Sequence, residues 1–220
     1  MAETATGEGG PPGARVIRPM MPPHLVLRDF LSEDAVAGLF AFALANEAQF
    51  EPTKVGPIDQ GKVNPKARIS TAIREFAPFK QILKDKFRAA APELTARLRA
   101  TPIPEPKFEL QLVAHNDGAF YRRHIDTQTA SDRKILRILS GVYYFHAMPR
   151  AFSGGALRLH PIGGANDALF TDVEPEHNTL VVFPSWAPHE VMPVACPSRR
   201  FADSRFAVNC WAYRSVAPAP

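Results

Sequence analysis

From Phe108 onward the apolar residues recur at every second position, in short runs separated by turn-forming dipeptides. Phe108, Leu110 and Leu112 share one face of an extended segment, because successive side chains on a strand point to opposite sides. Further strands are predicted at 119–125, 137–145, 156–160, 179–183, 190–194 and 205–213. Asn116-Asp117-Gly118, Ser153-Gly154-Gly155, Gly163-Gly164 and Pro184-Ser185 punctuate them. Short strands with one apolar face must pair into sheets that cover each other, so this half of the chain is expected to form a β-sandwich or barrel.

The first half reads differently. Residues 1–23 are rich in Gly, Pro and small side chains and are expected to form a flexible tail. Order is expected from the strand-like run His24–Leu27. Ser32 is placed to cap a helix, with Glu33 and Asp34 in the first turn, where the helix dipole favours carboxylates. Val36, Leu39, Phe40, Ala43 and Leu44 keep helical spacing, and this helix is predicted to run to about Gln49. Three Pro and two Gly make Glu51–Pro65 a loop. A second helix is predicted from near Pro78, with Phe79, Ile82, Leu83, Phe87 and Ala90 in one stripe. Pro92 has no amide proton, so a new short helix carrying Leu94 and Leu98 is expected there. The expectation is one mostly β domain over 24–220. It has helical support at 24–106 and a jelly-roll (double-stranded β-helix) core at 107–215, with the helices packed on one sheet.

Composition excludes several classes. Apolar content of 45% with 22% charge suits a globular domain. The net charge is +4 and no Lys/Arg run exceeds two, so no nucleic-acid stripe is expected. Two cysteines without a C-x-x-C pair cannot build a disulfide framework. No apolar run approaches a membrane span, and no basic start leads into an apolar stretch, so a cytoplasmic location is expected.

The candidate chemistry begins at His124-Ile125-Asp126. On a strand these two side chains point the same way, so an imidazole and a carboxylate converge from one short segment. A third ligand from a distant strand would complete a 2-His-1-carboxylate triad, which leaves open positions on iron(II). Seven His and ten Asp in 220 residues give about 0.3 chance matches to His-x-Asp (7 × 10 / 220), so the tripeptide alone is weak. His189 stands 63 residues beyond Asp126, at the entry to a predicted strand. In 205–211, alternation puts Arg205, Ala207, Asn209 and Trp211 on one face and Phe206, Val208 and Cys210 on the other. An Arg on such a strand is costly to bury unless it meets an anion, and a bidentate carboxylate is the natural partner.

Taken in order, Tyr121-Arg-Arg-His124-Ile-Asp126, Ser140-Gly-Val-Tyr-Tyr144, Gly154-Gly-Ala-Leu-Arg-Leu159, Pro188-His189-Glu-Val191 and Arg205-Phe-Ala-Val-Asn-Cys-Trp211 resemble the prolyl 4-hydroxylase family of iron(II)/2-oxoglutarate oxygenases. The resemblance is closest to the hypoxia-factor prolyl hydroxylase branch and its bacterial relatives, and it spans roughly residues 25–214. It implies His124, Asp126 and His189 as ligands of Fe(II). It implies Arg205 and Tyr144 as partners of the far carboxylate of the co-substrate 2-oxoglutarate, with Tyr143 the alternative if the register slips, and Asn209 beside them. Tyr121, Arg123 and Trp211 are implied at the substrate pocket, O2 as oxidant and ascorbate as reductant. The implied activity is hydroxylation of an unactivated C–H bond, on a prolyl residue of a protein or peptide. A free amino acid or small metabolite is the alternative substrate. A non-catalytic metal-binding sensor module and a zinc hydrolase are the alternatives of another class. For the hydrolase, Glu190 would be the nearest base, but it should point away from His189.

Two departures stand out. The basic residue lies 16 positions after His189, beyond an apparent insertion at Cys196–Ser204, while Arg199 and Arg200 lie nearer the usual spacing. Ala114 occupies the position of a family tyrosine, with His115 beside it as a substitute. Glu51–Pro65, Thr127–Lys134 and Cys196–Ser204 are expected to shape the mouth, where Arg122, Arg123 and Lys134 would suit an acidic or C-terminal carboxylate partner.

Overall fold

A computed structural model of the chain describes residues 19–56, 61–127, 135–163 and 168–216. Most of the expected tail and the stretch 128–134 lie outside the described residues. Met20 exchanges two backbone hydrogen bonds with Ile162, so the chain is already tied down before His24.

The elements follow in order: β1 (Leu25–Leu27), α1 (Glu33–Ala45), β2 (Glu51–Pro52), β3 (Arg68–Ile69), β4 (Thr71–Ile73), α2 (Phe79–Arg97), β5 (Lys107–His115), β6 (Phe120–His124) and β7 (Ile135–Phe145). The remainder are β8 (Ser153–Gly154), β9 (Leu157–Leu159), β10 (Thr171–Val173), β11 (Thr179–Pro184), β12 (His189–Val191), β13 (Val194–Ala195) and β14 (Arg205–Ser215). A seven-stranded sheet runs β1-β11-β7-β14-β5-β4-β2, and a five-stranded sheet runs β10-β9-β12-β6-β3. A two-stranded pair, β13-β8, completes the set, and the strand pairings are antiparallel. This is the expected mostly β, jelly-roll architecture with N-terminal helices on one sheet.

Two cores explain why it holds. Val142, Tyr144, Val181, Phe183 and Ala207 from the large sheet meet Leu157, Leu159 and Val173 from the small one, forming the interior between the sheets. The opposite face of the large sheet, carrying Leu110, Leu112, Phe206, Val208 and Cys210, is covered by Leu39 and Ala43 of α1 and by Leu83, Phe87 and Leu94 of α2. Full burial of each such Leu or Phe is worth about 1.5–3 kcal/mol.

The helices depart from expectation in two places. Ser32 Oγ caps α1 by accepting from the Ala35 amide at 3.4 Å, as predicted, but the α-helix stops at Ala45 and a single 3-10 turn, Glu47–Gln49, follows. Pro92 does not start a new helix; α2 runs through it. The reason is tertiary. Leu83, Phe87, Ala91, Leu94 and Thr95 make one continuous buried stripe on both sides of Pro92, and Thr95 Oγ1 donates to the carbonyls of Ala91 and Pro92 at 2.9 Å. Burial of that stripe outweighs one missing amide hydrogen bond. Among the described residues no helix is long and apolar enough to cross a membrane.

Phe87 is the pin between α2 and the sheet. Its ring lies edge-on to Phe30 and Phe108, with centroids 6.3 and 5.9 Å away. It approaches β7 so closely that a side chain at Gly141 would overlap it, which is why a glycine stands in the middle of that strand. Phe87→Ala is expected to lower unfolding free energy by about 3–5 kcal/mol in a denaturant titration.

Candidate active site

Strand pairing assembles the first cluster. β6 lies against β12 with His124 opposite His189, and the two rings are 4.2 Å apart. Asp126 follows two residues later, where its amide and that of Thr127 both donate to the Ser185 carbonyl at 2.9 and 3.0 Å. Donor atoms of His124, Asp126 and His189 all lie within 4.8 Å of one another.

The protons settle what this cluster can hold. The Nδ1–H of His124 donates to the Arg122 carbonyl at 2.8 Å, and that of His189 to the Ala187 carbonyl at 2.9 Å. A carbonyl only accepts, so each ring carries a proton on Nδ1, and the neutral imidazole then presents its Nε2 lone pair. Those two atoms face Asp126 Oδ1 and Oδ2 at 3.7 and 3.6 Å. Burial, then the neighbouring His189, pushes the His124 pKa down to about 3, so the ring is neutral. Burial alone would raise the Asp126 carboxyl. His189, His124 and hydrogen bonds from Ser140 and Trp211 pull it below the usual carboxylate range. Three electron-pair donors with no proton between them repel one another unless a cation sits among them. The residues present therefore fit a divalent metal of the 2-His-1-carboxylate type.

The carboxylate has its own support. Ser140 Oγ donates to Asp126 Oδ2 at 2.6 Å, and since its single proton is spent there, Ser185 Oγ must donate to Ser140 across 2.9 Å. Trp211, opposite Ser140 in the β14–β7 ladder, also hydrogen-bonds to Asp126.

A second cluster has the opposite character. Arg205 is 1% exposed and sits opposite His115 in the β14–β5 ladder. Its Nε donates to the Gly155 carbonyl at 2.7 Å, and its Nη1 donates to His115 Nδ1 at 3.2 Å. His115 Nδ1 is thereby an acceptor, which puts that ring's proton on Nε2. Burial, with Arg205 and Arg68 nearby, holds the His115 pKa well below its ordinary value. The Arg205 guanidinium also lies 4.7 Å from the centre of the Tyr144 ring. Among the described residues, Arg205 Nη2 and His115 Nε2 are buried without a hydrogen-bond partner, and the buried Tyr144 hydroxyl, whose oxygen can accept from Arg205, has no acceptor for its own proton. All three are N–H or O–H donors, and such a group is costly to leave unmet, so this end fits a carboxylate. Gly155 makes the space: its φ is +71°, and a Cβ there would stand 2.6 Å from Arg205 Cδ.

One cavity joins the clusters, lined by His124, Asp126 and His189 with Arg205, His115, Asn209, Trp211, Tyr121 and Arg68. Beside it opens a wider groove of about 640 Å³ that reaches Asp126, Tyr121 and Trp211 and is walled by Glu51, Pro52 and Lys54 from the expected mouth loop.

Several alternatives are decided by packing. Tyr144 faces the inter-sheet core. Tyr143 faces the helices and donates to Asn178 Oδ1 at 2.8 Å. Ala114 also lies on the helix side, while His115 enters the cavity. Arg199 and Arg200, with side chains 79% and 73% exposed, pair with Asp117 and Asp203. Among the described residues Glu190 makes no hydrogen bond to His124, Asp126 or His189; its carboxylate accepts from His160 Nε2 at 2.9 Å. That pairing leaves a hydrolase without its nearest base.

Two expectations need correction, and a third, Tyr121 at the pocket, holds by an irregularity that alternation does not reveal. Tyr121 does stack on His124, with centroids 3.6 Å apart, although the two are three residues apart and a regular strand would send them to opposite faces. The β6–β12 register shifts between them, a bulge that spends the extra residue. Arg123 lies within that irregular stretch; it is exposed and is not among the cavity residues. The insertion Cys196–Ser204 does not reach the cavity either. Phe201 packs it down against Phe50 and Phe206, with centroids 5.0 and 5.1 Å away. Sequence reasoning missed Ser185 and Arg68, and gave Ser140 no role. β3, which carries Arg68, has only two residues and shows no periodicity.

Two outcomes follow from this geometry. Ser140→Ala is expected to weaken manganese(II) binding about 10–100-fold in a calorimetric titration, by freeing the carboxylate it orients. In metal-free protein, His124 and His115 are neutral when folded but take up protons in the unfolded chain below their ordinary value of 6.5. Their contribution to stability is therefore intact above that pH and lost as pH falls toward about 3 for His124, at up to about 1.4 kcal/mol per pH unit for each group. Denaturant midpoints across that window should decline less steeply in His115→Gln.

Comparison with known proteins agrees with this geometry. Residues 110–213, from β5 to β14, match the 2OG-Fe(II) oxygenase superfamily. An uncharacterised PKHD-type hydroxylase of Synechocystis sp. is 42% identical over 135 residues, which cover 59% of this chain and 44% of that protein. The match thus spans less than half the length of that curated relative. A prolyl-4-hydroxylase of Pseudomonas putida is structurally similar, with TM-score 0.60 and 26% identity over 88% of this chain and 93% of that one. A Trichoplax adhaerens prolyl hydroxylase, solved with a hypoxia inducible factor peptide fragment, shares the fold at TM-score 0.59 and 19% identity, over 86% and 83% of the two chains. From β5 to β14, the strands that carry both polar clusters, the chain is similar to the 2OG-Fe(II) oxygenase superfamily.

Proposed function

We propose that the chain is an iron(II)- and 2-oxoglutarate-dependent dioxygenase that hydroxylates an unactivated C–H bond, with a prolyl residue of a protein or peptide as the first substrate to test. One observation carries the reading: a single buried cavity pairs a cluster made only of electron-pair donors with a cluster made only of hydrogen-bond donors. A cation suits the first and an anion the second, and iron(II) chelated by a dicarboxylic keto acid is both at once. The likeness to the Pseudomonas putida prolyl-4-hydroxylase supports the prolyl substrate.

In this reading His124, Asp126 and His189 hold the iron, and Arg205, Tyr144 and His115 take the far carboxylate of 2-oxoglutarate. The bound metal and co-substrate supply the oxidising power. The chain's own work is placement. The carbonyls of Arg122 and Ala187 keep both imidazoles in the ligating tautomer. Ser185, Ser140 and Trp211 fix the carboxylate. Phe183, whose ring lies 4.7 Å from that of His189, and the inter-sheet core behind it keep water from that side. A free amino acid or small metabolite is the second reading, favoured by an additional buried cation, Arg68, in the cavity wall.

Succinate formation from 2-oxoglutarate, dependent on iron(II) and O2, is the direct assay. His124→Ala and Asp126→Ala should each abolish it; full activity in either, with iron still required, would refute the ligand assignment. Arg205→Gln should raise the half-saturating 2-oxoglutarate concentration about 30-fold or more, since removing one partner of a buried charged pair costs roughly 2–5 kcal/mol. A folded chain that gives no weak visible charge-transfer band with iron(II) and 2-oxoglutarate under anaerobic conditions would favour a binding module instead.

A further inference from the structure

Arg68 is the one cavity cation that the proposed reaction does not use. It is 7% exposed, on the two-residue strand β3, directly opposite Tyr121 in the ladder with β6. Its Nε donates to Ser70 Oγ at 2.9 Å, and its guanidinium carbon lies 4.7 Å from the centre of the Tyr121 ring. Ser70 is steadied in turn by Thr53 Oγ1 at 2.9 Å. These contacts hold the side chain by one N–H and one face. Among the described residues its terminal nitrogens make no hydrogen bond, and no carboxylate comes within ion-pair distance. The residue lines both the metal-side cavity and the wider groove.

Burying a guanidinium without an anion is costly, and the other two arginines of the groove show the usual remedy. Arg137 and Arg74 both meet Glu109, at 2.6 and 3.5 Å. A charge count of the loaded cavity, which rests on the oxygenase reading above, leaves Arg68 over. The two charges of iron(II) are matched by Asp126 and the near carboxylate of 2-oxoglutarate. Arg205 is matched by the far one, and His115 is neutral. Arg68 then faces the space beside His124 and Asp126 with four N–H donors to offer.

We infer that Arg68 is a substrate-recognition residue that takes a carboxylate of the molecule to be hydroxylated. The carboxylate belongs to a free amino or other small acid, or to the C-terminus or an acidic side chain of a peptide; the recognising chemistry is the same. The Tyr121 ring, in contact with both Arg68 and His124, relates that carboxylate to the metal position and so sets which C–H bond is presented.

The test uses the full chain loaded anaerobically with iron(II) and 2-oxoglutarate, with affinities read by calorimetry. The probes are L-proline, L-pipecolate, L-glutamate and the dipeptide Ala-Pro, each beside its carboxamide. At least one acid should bind about 10-fold or more tightly than its amide. R68Q should abolish that preference while changing 2-oxoglutarate affinity by no more than about 2-fold, and R68K should keep part of it. Preference confined to the free acids, or to the dipeptide, tells the two sources apart. The inference is overturned if no acid is preferred over its amide by the unmodified protein, a comparison that needs no variant to fold, or if R68Q keeps the preference. Failure of the unmodified chain to bind 2-oxoglutarate would instead sink the oxygenase reading itself.

Discussion

The register of β14 between β5 and β7 is the constraint on which the rest depends. It sets Arg205 beside His115, Ala207 beside Tyr144, Asn209 beside Val142 and Trp211 beside Ser140. Each pair shares a face, so one strand lays out the carboxylate-binding end, the cavity floor and the support for Asp126 in sequence. The intervening residues Phe206, Val208 and Cys210 bury against the helices. A slip of one residue would send the guanidinium into that helical core and Phe206 into the cavity. The helices contribute by making that slip prohibitively costly, since Phe87 and its neighbours fit only one face of the sheet.

Polar groups inside such a core must be answered, and here they are sorted by sign. Lone pairs collect where β6 meets β12, and N–H and O–H groups collect where β14 meets β5 and β7. Backbone carbonyls hold the histidine tautomers that make the first group possible, and Arg205 holds the tautomer of His115 that makes the second. Neither cluster is self-sufficient, and the two open on the same cavity. The cost of leaving each unanswered is the free energy available for binding what fits both.

Much of this was legible before any tertiary information. Alternation from Phe108 onward located the strands from β5 on within a few residues, except the short β8 and β10, and the i, i+2 spacing put His124 and Asp126 together. Local rules failed where distant packing overrode them. Pro92 stays within α2 because the buried stripe on either side binds one helix to the sheet. Tyr121 joins the metal side, and Arg123 stays outside the cavity, because a bulge adds a residue that sequence periodicity does not reveal. β3 is too short to have a period at all, so Arg68 went unnoticed.

The sequence by itself determined which residues share a face: alternation is a property of the extended backbone, and it needs no partner strand. It also determined the chemical types available, two imidazoles, a carboxylate and an arginine on an apolar strand. Only the tertiary structure decided which face turned inward, and so chose Tyr144 over Tyr143, Arg205 over Arg199 and Arg200, and His115 over Ala114. The physical reason is that pairing and burial join residues far apart in the chain. Whether a donor is answered, as Arg137 Nη2 is by Glu109, or left open among the described residues, as Arg205 Nη2 is, depends on neighbours that no local pattern names.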